Sequence, residues 1–102
     1  MEENYGHITR MENIMVSQEN TIRKLEEILE ELDSQQESFA ALSKYYGSEQ
    51  WMQDLEDDNN HLIPETLNRG VLSEDGVYNL IADTHDASLH MIETALKLLK
   101  TN

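Results

Sequence analysis

From Ile8 to Phe39 the chain reads ITRMENIMVSQENTIRKLEEILEELDSQQESF. Within it Ile8, Met11, Met15, Gln18, Ile22, Leu25, Leu29, Leu32, Gln36 and Phe39 recur at alternating steps of three and four residues. A heptad pattern held this long specifies one continuous helix with an apolar seam, and such a seam must be covered by another helix. Composition agrees: Leu, Glu, Gln, Lys, Met and Ala dominate, and neither Gly nor Pro occurs between Gly6 and Gly47. The first helix is expected from about residue 3 to 46. Ile14, Ile28 and Leu42 widen the seam as in a bundle helix, while Gln18 and Gln36 interrupt it and set register at a cost in stability. Ser17-Gln18-Glu19-Asn20-Thr21 is its weakest stretch and the place where a kink would fall.

Gly47 is the expected stop, in a left-handed conformation after a last turn containing Lys44. Ser48 should cap a short helix over about 49–57 that carries Trp51, Met52 and Leu55. Residues 58–72 read as irregular, with Pro64 able to start a single turn up to Leu67. Ser73 should cap a third helix over about 74–99, with Glu74 and Asp75 at its positive end and Lys97 and Lys100 at its negative end. Gly76 near its start implies close approach by another group. Val77, Ile81, Thr84, Ser88, Met91, Ala95 and Leu98 form a second seam. The expected fold is all-α: a long N-terminal helix and a C-terminal helix in an antiparallel, coiled-coil-like hairpin with a short middle helix. Residues 1–102 form a single domain in this reading. At 1.5 Å per residue the first helix is about 65 Å long and the third about 40 Å. About 25 Å of stripe is then left for the middle helix and a second copy of the chain, which predicts a homodimer.

Twenty-one acidic residues against seven basic ones give a formal charge of −14, densest between residues 47 and 70. Nucleic-acid binding needs a patch of Lys and Arg to neutralise phosphates, and seven scattered bases supply none. There is no cysteine, which removes disulfides and thiol chemistry and leans towards the cytoplasm. The opening MEENYGH is acidic and polar, so no secretory signal is expected, and no run of about 18 apolar residues suits a membrane.

The segments Tyr45-Tyr46-Gly47-Ser48-Glu49-Gln50-Trp51, Asp54-Leu55-Glu56 and Arg69-Gly70-Val71-Leu72-Ser73-Glu74-Asp75-Gly76-Val77-Tyr78-Asn79-Leu80 resemble a family of small bacterial proteins, the domain of unknown function DUF4298. The resemblance runs from Arg10-Met11-Glu12 to Lys97-Leu98-Leu99-Lys100. It implies a bacterial, cytoplasmic, helical protein and supplies no catalytic residues.

Two constellations stand out. Asp54, Glu56, Asp58, Asn60 and Glu65 fall at positions 1, 3, 5, 7 and 12 of a calcium-loop pattern, where oxygen ligands are wanted. Against it, Asn59 replaces the turn glycine, His61 replaces a branched apolar residue, and Pro64 precedes Glu65. The aromatics Tyr45, Tyr46, Trp51 and Tyr78, with Arg69 as the only base between Lys44 and Lys97, form the second. They either plug the packing at the end of the hairpin or present a partner surface rimmed by acids. Asp86 and His90 share a face of the third helix but lie off its seam, as a solvated pair would. No nucleophile elbow or phosphate loop occurs, and acid pairs such as Glu26/Glu30 lie on exposed faces, so no enzyme and no cofactor are expected. The function expected is a non-enzymatic, acidic helical interaction or adaptor protein with a protein partner at the 45–78 region. Alternatives are a divalent-cation-responsive module using the 54–65 acids and a secreted helical hairpin. The latter lacks its Trp-x-Gly turn, because Met52-Gln53 follows Trp51.

Overall fold

A computed structural model describes residues 2–101. The chain is all-α, with a long N-terminal helix, a short middle helix and a C-terminal helix: α1 (Gly6–Tyr45), α2 (Glu49–Asn59) and α3 (Gly76–Thr101). A 3-10 turn, Glu2–Tyr5, precedes α1, and another, Gly70–Leu72, precedes α3. The chain divides into two compact units, one up to Ser38 and one from Phe39 onward, with the boundary inside α1. Among the described residues no helix is long and apolar enough to cross a membrane.

In the first unit the heptad reading holds for the backbone. Helix runs unbroken through residues 17–21, where the side chain of Arg23 donates to Asn20 Oδ1 at 3.1 Å. Neither Gly nor Pro interrupts the backbone hydrogen bonds there, so the polar stretch stays helical without a kink. Along this unit the seam is a row of exposed side chains: Ile8 is 54% exposed, and Met11, Met15, Ile22, Leu25 and Leu32 are exposed with it.

The second unit begins with the last turn of α1, which stops where expected. Gly47 takes φ +81°, and the N–H of Ser48 donates to the Tyr45 carbonyl at 2.9 Å. Ser48 caps α2 by accepting from the N–H of Trp51 at 3.1 Å. α2 runs two residues further than the expected end at 57. Its stop is His61, a non-glycine residue at φ +57°. The N–H of Leu62 donates to the Asp57 carbonyl at 2.9 Å and that of His61 to the Asp58 carbonyl at 3.1 Å. This nested pair is the Schellman end of a helix, with His61 where glycine is usual. Leu67 then closes a turn onto the Pro64 carbonyl at 3.0 Å, the single turn that Pro64 allowed.

Entry into α3 is built on Ser73. Its hydroxyl donates to the Gly70 carbonyl at 2.7 Å and accepts from the N–H of Gly76 at 3.1 Å, so it caps three residues ahead as expected. Regular helix starts at Gly76, two residues later than the sequence suggested. A side chain at Gly76 would run into Ser73 Oγ and would stand 2.9 Å from the Gly70 carbonyl oxygen, which is the close approach the glycine implied. Leu72 and Val77, flanking this knot, are the buried hydrophobics among the described residues. Ile81, Thr84 and Ser88 continue the same face half-buried, and beyond them α3 is exposed, with Leu99 at 75%.

Candidate functional site

Trp51, Asp54, Leu55 and Asp58 stand at i, i+3, i+4 and i+7 of α2 and therefore share one face, and all four are half-buried. The three that carry a polar group reach two other segments, the end of α1 and residues 69–72. Trp51 meets the ring of Tyr46 edge-on, with centroids 5.0 Å apart at 65°, and its indole N–H donates to the Val71 carbonyl at 3.0 Å. Asp54 accepts from the Tyr45 hydroxyl at 2.5 Å and from the Gln50 amide at 2.8 Å. Asp58 accepts from the Arg69 guanidinium at 2.6 Å. The face thus joins the end of α1 to the 69–72 segment through short polar contacts that offset the desolvation of the carboxylates.

The hydrogen bond to Asp54, partial burial and the negative charge of Asp54 together push the Tyr45 hydroxyl up to about 12. All three favour the neutral phenol that can donate over the phenolate that cannot. Tyr45 and Asp54 also line an open cleft of about 360 Å³. Its other walls include Asp57, Ile63, Leu67 and Arg69, so acids and one base face apolar side chains there. Leu62 and Leu67 project into solvent at its rim.

The candidate partner residues therefore separate. Tyr45, Tyr46, Trp51 and Arg69 are brought together around α2, with the polar atoms of Tyr45, Trp51 and Arg69 engaged inside the chain and the Tyr46 ring against Trp51. Tyr78 is not among them; it is 63% exposed on α3. The expectation that Arg69 pairs with a carboxylate is met by Asp58.

The candidate cation ligands are dispersed. Asp54 and Asp58 share a face of α2, where Tyr45 and Arg69 engage them, and Glu56 points to the opposite side. Asn60 is the C-cap of that helix, and Glu65 is exposed in the following turn. Among the described residues no three His, Cys, Asp or Glu side chains gather in a way that could hold a metal ion. On α3 the contact of Asp86 is with neighbouring His85, at 3.7 Å with both side chains in solvent.

Sequence reading missed the Val71 carbonyl as the partner of Trp51 and the exposed Leu62 and Leu67. The first leaves no side-chain signal. The 51/54/55/58 face was missed too, with Met52 read beside Trp51 and Leu55 instead: its spacing is helical, but mixed Trp, Asp and Leu do not register as a stripe when only apolar residues are counted.

Comparison with curated proteins found no match, and comparison with solved structures found none. A family model does match, over residues 8–94, which takes in most of α1, all of α2 and its connection, and α3 as far as Thr94. The chain belongs to the family described as a domain of unknown function (DUF4298).

Proposed function

We propose that this chain is a non-enzymatic interaction protein that acts through helical surfaces as a homodimer joined along α1, in the bacterial cytoplasm. The observation that carries the reading is the row of exposed apolar side chains on α1, from Ile8 to Leu32. Single exposed hydrophobics are ordinary, but a periodic row of this length is what coiled-coil partners cover. With Leu72 and Val77 as the buried hydrophobics among the described residues, burial of the row would also supply stability that the chain's interior does not. The charge of −14 favours further partners with basic or neutral surfaces. Sedimentation equilibrium of the full chain at micromolar concentration tests the association. A mass of two chains is expected, and a monomer across the range overturns it.

A second reading places a protein partner at the cleft beside α2, on the strength of Leu62 and Leu67 at its rim. Capture of a specific protein from the native bacterium, lost in Leu62→Asp and Leu67→Asp, is the result expected. Equal capture by both variants excludes this surface.

A further inference from the structure

We propose that the two copies of α1 lie parallel and in register along Ile8–Gln36. This rests on the reading of α1 as the association surface and adds its geometry. Three features of the helix agree on it.

Layer composition comes first. Ile8, Met15, Ile22 and Leu29 occupy one set of seam positions and Met11, Leu25 and Leu32 the other. Ile at the first position of the heptad with Leu at the fourth favours two parallel strands, and Ile22 with Leu25 at the centre of the row is the heptad that has it. The row extends over four heptads, the length at which such pairing holds.

The polar layers point the same way. Parallel and in register, Gln18 faces Gln18 and Gln36 faces Gln36, and each amide both donates and accepts, so both layers are satisfied. An antiparallel pair can match these residues in one register only, with Gln18 opposite Gln36. Other registers leave an amide against apolar side chains.

Charge decides against that remaining register. Glu12, Glu19, Glu26 and Asp33 recur every seven residues along one edge of the seam, while the opposite edge holds Ile14, Thr21, Ile28 and Gln35. In the antiparallel register the acidic edge faces itself: Glu26 meets Glu26, and Glu19 meets Asp33 twice. In the parallel pair each acidic edge faces the uncharged edge of the other copy, where the apolar stems of Glu pack on Ile. Each like-charge contact costs only tenths of a kcal/mol, which is enough to choose between orientations that bury the same side chains.

Because the chain has no cysteine, a single introduced thiol reports the geometry. Gln18→Cys and Gln36→Cys are made separately in the full chain and oxidised mildly, alone and mixed. In the parallel pair each variant links to itself, and the mixed disulfide is about tenfold rarer or less, since positions 18 and 36 stand about 27 Å apart along the helix. Met11→Cys should also link to itself, which guards against one layer tolerating cysteine poorly. Mixed 18–36 disulfides in excess of self-linked ones overturn the parallel arrangement while leaving the homodimer intact. No linkage in any sample, with a monomeric mass, overturns both; that is also the outcome expected if the row instead takes a basic amphipathic helix from another protein.

Discussion

The Tyr45 hydroxyl donates to Asp54 across the α1–α2 turn at 2.5 Å, and the phenol is pushed up to about 12 as a result. A group whose pKa is raised on folding contributes stability that is fully present below its unfolded value and is lost as pH rises through the folded one. The window is therefore from about pH 10, the ordinary tyrosine value, to about pH 12. Absorbance titration of the phenolates should show one late tyrosine, and Asp54→Asn should move that step to lower pH. A titration curve unchanged by Asp54→Asn excludes the coupling. Tyr45→Phe should cost about 1 kcal/mol or less in urea unfolding at neutral pH, because the pair is only half-buried.

Gly76→Ala should destabilise by about 1–3 kcal/mol, because the new Cβ meets Ser73 Oγ and a backbone carbonyl that cannot swing away. The control is Gly6→Ala at the start of α1, where a Cβ meets nothing within 4 Å. There the helix preference of alanine should leave stability unchanged or raise it by up to about 1 kcal/mol. Denaturant midpoints followed by circular dichroism compare the two, and equal effects would contradict the crowding at Gly76.

His61→Gly should stabilise by about 1 kcal/mol. His61 holds φ +57° to end α2, a conformation that costs a residue with a Cβ about 1–2 kcal/mol and glycine little, against which glycine's greater freedom when unfolded must be set. Trp51 is the only tryptophan and sits on that helix, so its fluorescence reads the transition directly. A lower midpoint in the variant would show that the imidazole contributes more than its backbone costs.

His61 also explains the limit of what the sequence revealed. The helices were legible because their signals are local: the three–four alternation of α1, the left-handed Gly47, the Ser48 cap and the crowded Gly76. The end of α2 was not, because its stop signal is a histidine where glycine would announce it. That difference of two residues decides the place of Asp58. In a helix ended at 57, Asp58 falls in the following loop; in a helix continued to Asn59 it shares the face of Asp54, and the two hold Arg69 and Tyr45. The Tyr46–Trp51 contact and the Arg69 pair were foreseeable from charge and aromatic content, whereas the Val71 carbonyl is a backbone atom that no residue type betrays.

The Arg69–Asp58 pair is short, at 2.6 Å, but its side chains retain 35% and 27% of their exposure. Solvent screening then limits its coupling to about 1 kcal/mol. A double-mutant cycle with Arg69→Ala and Asp58→Ala should return a value of that size, falling as salt is raised towards 1 M. A coupling of zero at low salt would show that Asp58 holds the 69–72 segment by no more than proximity.

In the proposed parallel dimer Gln18 and Gln36 each face their own copy, and each replaces an apolar layer. Gln18→Leu with Gln36→Leu should therefore tighten the dimer, since each leucine buried adds about 1.5–3 kcal/mol relative to leaving it in water. The same change removes the only layers that distinguish one register from another, so orientation should loosen as affinity rises. Both effects can be read together by placing Met11→Cys in the double variant. Its dissociation constant should fall by sedimentation, while self-linkage through position 11 should become incomplete relative to the parent. Tighter association with self-linkage unchanged would mean that the acidic edge at Glu12, Glu19, Glu26 and Asp33 fixes the orientation by itself.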